Sequence, residues 1–308
     1  NRRARRGAPS PGEISVLTIL FDGLAYGMLL FVLAVGLSVT LGLMNFINLA
    51  HGAFAMAGGY IAVVMMQRYG LSLFWGLPAA FFICAAAGAF LERTLYVRLY
   101  DKTHLEQVMF TIGLVFMSVA AVDYFMGASP QIVDVPKSLE GSVDLGVVTL
   151  NKYRLFVIFV CALLTIALQL GLSKTRFGSR LRASVDDARV ARGLGIDVTR
   201  IFALTFAFGS GLAGLGGALG SAIFSLDPQF PLKFMIYFLI VIAVGGTTTI
   251  TGPFFASILL GVADVAGKYY RPEIAGHKIE IGGFVIYTIM VLVLIFRPQG
   301  LFGRPAGK

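Results

Sequence analysis

Charge is scarce in this chain. Only 13% of its 308 residues are Asp, Glu, Lys or Arg, against 57% hydrophobic, where a soluble domain carries about a quarter charged. That deficit argues against a water-soluble fold. Cysteine is scarcer still. Cys84 and Cys161 both lie inside apolar runs and read as small packing residues, without a disulfide or metal signal. The three histidines, His51, His104 and His277, are far apart and have no acid partner nearby in sequence. There is no His/Cys/Asp cluster at metal-binding spacing and no GxxxxGK[ST] phosphate loop. A membrane enzyme is therefore disfavoured, and any ATP-driven step requires a nucleotide site on another chain. Serial alternating segments of about ten residues, as a membrane β-barrel needs, are missing too.

Long apolar runs fill the space that charge leaves. A membrane-spanning helix takes about 20 apolar residues. Candidate spans are Val16–Leu41, Phe46–Met66, Leu73–Val97, Gln107–Met126, Leu155–Leu172, Ile201–Ser225, Phe234–Val244, Phe254–Val265 and Phe284–Phe296. The expected fold is all-α: a polytopic transmembrane helical bundle with broken or re-entrant helices and a short cytoplasmic coupling helix. The seventh and eighth runs are short, and GGTTTITGP (Gly245–Pro253) between them cannot stay regular helix. Such paired short segments border transport routes. Asn45–Gly59 is the candidate for a matching break in the first half.

The net charge of +9 comes largely from one loop: Lys174, Arg176, Arg180, Arg182, Arg189, Arg192 and Arg200. Clustered basic loops mark the cytoplasmic side, so the excess charge speaks for a lipid membrane and not for nucleic acid. Arg98–Lys102 and the tail after Phe296 (Arg297, Arg304, Lys308) go to the same side. Gly127–Tyr153 then lies outside, and its alternation over Val143–Leu150 suits a small hairpin or an interfacial turn. Arg2, Arg3, Arg5 and Arg6 argue for a cytoplasmic start, whereas nine full spans ending inside put the start outside. The first apolar run is too long for a cleavable signal. The domain reading is a basic tail (1–13), one transmembrane domain (14–303, with a loop at 174–200) and a short tail (304–308).

Two polar elements stand out. In NFINLAHGAFAMAGGY (Asn45–Tyr60), Asn45, Asn48 and His51 step by three, which on a helix makes one polar stripe, and Gly52 follows it. Polar groups at membrane depth usually face a protein interior or an aqueous path. The candidate substrate path is therefore Asn45, Asn48, His51 and Gly52 with Gly245, Gly246 and Thr247; the alternative is hydrogen-bonded helix packing. Asp22, Glu92, Asp123 and Asp264 read as interfacial or capping residues. The second element is RLRASVDDARVARGLGIDVTR (Arg180–Arg200). A helix is expected over Ala183–Arg192, with Ala183, Val190, Ala191 and Leu194 as apolar contacts. Gly193 and Gly195 are its stops, and Asp197 or Thr199 caps the next span. A short cytoplasmic helix of this kind can be gripped by another protein; a solvated connector is the alternative.

NFINLAHGAFAMAGGY, RASVDDARVARGLGID and RPQGLFG (Arg297–Gly303) together resemble permease subunits of bacterial ABC importers for branched-chain amino acids, with the nearest likeness to their H-type subunit. The likeness runs from about Phe21 to Gly303. GGTTTITGP departs from it, since that family more often has a Gly-rich stretch without the threonine triplet. The resemblance implies a multi-pass permease of the bacterial inner membrane, with no cofactor of its own. It also implies a second homologous permease subunit (a heterodimer, with a homodimer as the other option), two cytoplasmic ATPase subunits holding ATP and Mg, and a periplasmic solute-binding protein. The loop Ala183–Ile196 corresponds to the family's coupling helix, so Ala183, Asp186, Asp187, Ala188, Ala191, Leu194 and Gly195 are the expected ATPase contacts. The cargo implied is a branched-chain or other small neutral amino acid. Related permeases serve urea, short amides or aromatic acids, and a channel or secondary transporter is the competing class.

Overall fold

In hydrocarbon every backbone N–H and C=O must be satisfied within the protein, and the apolar runs achieve this as helices. The computed structural model describes residues 16–44, 46–131, 133–144, 149–247, 249–270, 273–274, 277–278 and 281–303. Its helices are α1 (Val16–Met44), α2 (His51–Gln67), α3 (Leu73–Thr94), α4 (His104–Met126), α5 (Lys152–Lys174), α6 (Arg176–Asp186), α7 (Ala188–Gly193), α8 (Val198–Gly220), α9 (Phe230–Gly245), α10 (Thr251–Tyr269) and α11 (Gly282–Phe296). Strands are confined to two short hairpins, Ser142–Asp144 with Thr149–Asn151 and Glu273–Ile274 with His277–Lys278, among the described residues. The first pairs Val143 with Leu150 and is the hairpin that the alternation there allowed beside an interfacial turn. The expected all-α multi-pass membrane bundle is the fold observed.

Helices α1, α3, α4, α5 and α8 are long and apolar enough to cross a membrane, and α9 and α11 are shorter apolar helices. The most apolar window of α1 is 89% buried and that of α4 only 11%. So α1 is central, while α4 turns most of its surface outward. Lipid gives helices little hydrophobic reason to associate, so close packing of small residues must hold them. A methyl on Gly27 of α1 would lie 2.7 Å from the Ile258 Cα of α10, and one on Gly36 would lie 2.6 Å from the Gly209 carbonyl of α8. Neither position tolerates a side chain.

The two ends of the bundle differ in character. At one, α1 begins beside the start of α5, the end of α10 and the Ser142–Asn151 hairpin. At the other lie the end of α1, the α3–α4 turn, helices α6 and α7, the α9–α10 link and residues 297–303. This second end holds the seven-base loop, and is called the basic end below. The chain therefore enters α1 at the hairpin end. The arginines before residue 16 lie outside the described residues.

Two sequence expectations need correction. The predicted Phe46–Met66 span is a helix only from His51, with a non-helical link before it. Glu92 and Asp264, read as interfacial, are both fully buried. One oxygen of each has a partner, since Tyr100 donates to Glu92 Oε1 at 2.8 Å and Lys268 pairs with Asp264 one turn away, while Glu92 Oε2 and Asp264 Oδ1 are buried without a hydrogen-bond partner.

Candidate functional site

The chain doubles back after α1. Phe46 N donates to the Thr40 carbonyl at 3.1 Å, and His51 Nε2 lies 2.9 Å from the Leu33 carbonyl. Leu33 is 11 residues before the end of α1, about 16 Å along its axis. Helix α2 therefore starts deep inside the bundle, with residues 46–50 forming the non-helical approach to it. Distant polar groups hold this approach. Ile47 N donates to Gln107 Oε1 at 3.2 Å, and Gln107 Nε2 donates in turn to the Leu99 and Lys102 carbonyls. Tyr96 Oη donates to Asn48 Oδ1 at 3.3 Å. Tyr96 also stacks at a tilt on Phe206 of α8, and Phe46 meets both Tyr96 and Tyr100 edge-on. Burial, reinforced by the Glu92 carboxylate, raises the pKa of the Tyr100 hydroxyl far above its usual value and keeps it a donor.

These contacts correct the helical stripe. Asn48 lies in the link and His51 is the first residue of α2, so they share no helix face. Asn45 is outside the described residues. Asn48 and His51 are 1% and 2% exposed, inside the packed bundle. Gly52 sits against α9, where a methyl would come 3.1 Å from the Pro231 Cα.

The second break is present and narrower than GGTTTITGP. Helix α9 ends at Gly245, and α10 already contains Thr251, Gly252 and Pro253. Gly246 adopts φ +89°, a left-handed conformation that glycine takes without penalty. The C-terminal segment lies over this turn: Leu301 N donates to the Val244 carbonyl at 2.7 Å, and a methyl on Gly246 would come 2.9 Å from the Gln299 carbonyl. Thr249 Oγ1 accepts from Gly252 N at 3.3 Å, in the first turn of α10, whose cap position is Ile250. Thr247 is exposed and lines a cavity of about 170 Å³ with Ser38, Gln169, Leu181, Arg182 and Thr249. Gly245, Gly246 and Thr247 are thus brought together, near the end of α1 and apart from His51.

That cavity ties the break to the basic loop, because Leu181 and Arg182 belong to α6. The loop is two helices, where one was expected over Ala183–Arg192. Asp187 breaks the run with an extended backbone (φ −153°, ψ 101°), and its Oδ1 accepts from Arg189 N at 2.8 Å and Val190 N at 2.9 Å. An aspartate that caps a new helix outcompetes its place inside the old one. On α6, Gly178, Leu181 and Ser184 are buried while Arg176, Arg180, Arg182 and Asp186 are exposed. Ala183 and Ala188 are half-buried and Ala191 is 1% exposed. Val190 and Leu194 are 56% and 75% exposed, so of the four apolar contacts expected there these two are turned away from the rest of the chain. Gly193 lies within α7, and Gly195 at φ +81° is the actual stop, with Ile196 N reaching back to the Ala191 carbonyl at 3.0 Å. Asp197, and not Thr199, caps α8 through Arg200 N at 3.0 Å.

Sequence reasoning missed Gln107, Tyr96, Ser38 and Gln169. Gln107 had a readable signal, for it follows the Thr103–Glu106 capping box that opens α4. Tyr96 had none, since its partner Asn48 is 48 residues away.

Residues 19–294 match the family model described as "Branched-chain amino acid transport system / permease component". The chain is 29% identical over 301 residues to the Pseudomonas aeruginosa high-affinity branched-chain amino acid transport system permease protein BraD, covering 93% of this chain and 95% of that protein. It is 27% identical to the probable branched-chain amino acid transport permease protein LivH of Methanocaldococcus jannaschii, with 92% of each chain covered. The Salmonella typhimurium permease proteins LivH and LivM, each named for a high-affinity branched-chain amino acid transport system, are 26% and 28% identical. The match covers 95% of this chain and 70% of that LivM.

Proposed function

Because the chain belongs to the branched-chain amino acid transport permease family, we propose that it is the translocation subunit of an ATP-driven importer in a bacterial inner membrane. The cargo is a branched-chain or other small neutral amino acid. The family match across nearly the whole chain carries the reading. The partners are a second, homologous permease subunit, two cytoplasmic ATPases that hold ATP and Mg, and a periplasmic binding protein. That LivH and LivM of one organism are both similar to this chain supports a heterodimer. The positive-inside rule makes the basic end cytoplasmic.

In this reading α6 and α7 are the coupling element. Val190 and Leu194 are the apolar contacts offered to an ATPase cleft, with the exposed Asp186 beside them, while Asp187 and Gly195 set the shape of the loop. ATPase movement reaches α6, and α6 shares the small cavity with the α9–α10 break. Gly245, Gly246 and Thr247 then border the cytoplasmic part of the route, and Asn48, His51 and Gly52 brace the bundle around it. The test is uptake of labelled leucine by the reconstituted complex, competed by valine and isoleucine and not by urea. Competition by urea or an aromatic acid, without transport of leucine, removes the cargo assignment and leaves the importer assignment.

A further inference from the structure

The largest cavity described, about 570 Å³, opens at the hairpin end between α1, α5 and α10. Small-molecule sites occupy roughly 300–1,000 Å³. Its polar groups come from parts of the chain far apart in sequence. The Arg154 guanidinium pairs with Asp22, and Tyr269 Oη donates to the same carboxylate at 2.9 Å. Lys268 pairs with Asp264, and its ammonium stands 5.0 Å from the centre of the Tyr26 ring.

The burial is asymmetric. The carboxylates of Asp22 and Asp264 are 7% and 0% exposed, while Arg154 and Lys268 are 36% and 49% exposed. Each buried acid fixes a cation whose head remains accessible. The two pairs sum to zero charge, so the cavity has little net pull on a simple anion or cation. It does present separated positive and negative groups. Ala25, Ile223, Phe224 and Val265 supply an apolar wall beside them. Helix packing alone does not call for such a set, since buried ion pairs are often no more stabilising than well-packed apolar residues.

We propose that this cavity is the receiving site for the zwitterionic head of an amino acid. Its carboxylate exchanges onto Arg154 and Lys268. Its ammonium is met by Asp22 and the Tyr269 hydroxyl, and an aliphatic side chain lies against Phe224 and Val265. The site rests on the importer reading above, which makes this end periplasmic. Helices α1, α5 and α10 also contribute Ser38, Gln169 and Leu172, and the Ile250 cap, to the cavity at the basic end.

The test uses the complete importer in lipid nanodiscs and proteoliposomes. Equilibrium binding of labelled leucine is measured without the binding protein, and uptake with it. Leucinamide, which lacks the carboxylate, and 4-methylpentanoate, which lacks the amine, serve as competitors. Wild-type complex should bind leucine, and neither analogue should displace it at tenfold excess. Arg154→Met and Lys268→Met should each raise the half-saturating leucine concentration at least tenfold, with complex yield and ATP hydrolysis stimulated by the binding protein retained. Arg154→Lys should recover most of the loss. Should Arg154→Met fail to assemble, Lys268→Met, at a half-exposed side chain, decides alone. Wild-type saturation in the assembled variants overturns the site while leaving the importer intact. Import of urea and not leucine by the wild-type complex overturns the cargo reading and the site together.

Discussion

The ring of His51 reaches back eighteen residues, placing Nε2 2.9 Å from the carbonyl oxygen of Leu33 at the middle of α1. A carbonyl only accepts, so Nε2 carries the hydrogen and donates it. The ring also meets Phe238 edge-on with centroids 6.1 Å apart, and it lies where Gly36 of α1 leaves room for it. One side chain thereby sets where α2 begins against α1 and α9.

Replacing His51 with Leu should therefore damage assembly more than passage. Losing a buried hydrogen bond of this type costs about 1–3 kcal/mol once the abandoned group is counted. The expected outcome is a lower melting temperature of the detergent-solubilised complex, with near-normal leucine uptake per assembled complex. A large fall in specific uptake at unchanged melting temperature would place His51 on the route itself.

Asn48 and Tyr96 are open to a coupling measurement. If Tyr96 Oη works mainly through Asn48, Asn48→Leu and Tyr96→Phe should be non-additive. Each alone should lower stability by about 1 kcal/mol and the pair by clearly less than the sum. Strict additivity in thermal unfolding would show that the 3.3 Å contact carries no energy.

The apolar runs made the order of the apolar helices legible, because in lipid such a run has few alternatives to helix, though only five of the nine are long and apolar enough to cross a membrane. A small hairpin was one of the two forms that the alternation over Val143–Leu150 suits, whereas its register, Val143 against Leu150, is set by the assembled strands. The stripe of Asn45, Asn48 and His51 misled because a step of three has meaning only inside a helix. Residues 46–50 are held out of one by Gln107 and Tyr96, which local sequence does not announce. Asp187 misled in a related way: the same residue serves in a helix interior or as a cap, and its side-chain bonds from Arg189 N and Val190 N make it the cap. The ion pair of Asp22 with Arg154, and the hydrogen bond from Tyr269 across 247 residues, exist only once α1, α5 and α10 are assembled.

Burial now separates residues of the basic loop that looked equivalent in sequence. Leu194→Glu and Val190→Glu change exposed side chains and should leave the permease folded in the membrane. If they seat in an ATPase cleft, leucine uptake should fall at least tenfold and the ATPase should be lost on purification. Ala191→Glu buries a carboxylate at a 1% exposed position and should reduce the folded permease itself. Normal uptake and ATPase retention in Leu194→Glu would remove α7 from the coupling contact.

Gly246 is where backbone conformation and close approach coincide. Its φ of +89° suits glycine, and a methyl there would stand 2.9 Å from the Gln299 carbonyl in the segment lying over the turn. Strain of this kind costs of the order of 1–3 kcal/mol per residue. The turn can relieve it only by shifting, and the adjoining strap (through Leu301 N on the Val244 carbonyl) must shift with it. Thr247, which lines the cavity beside α6, is the next residue, so the disturbance falls where ATPase movement is proposed to reach the route. Gly246→Ala should accordingly uncouple the machine: ATP hydrolysis stimulated by the loaded binding protein should persist while leucine uptake drops severalfold. Gly113→Ala is the control, because a methyl on Gly113 meets nothing within 4 Å. Equal effects of the two substitutions would show that the turn's geometry has no special part in transport.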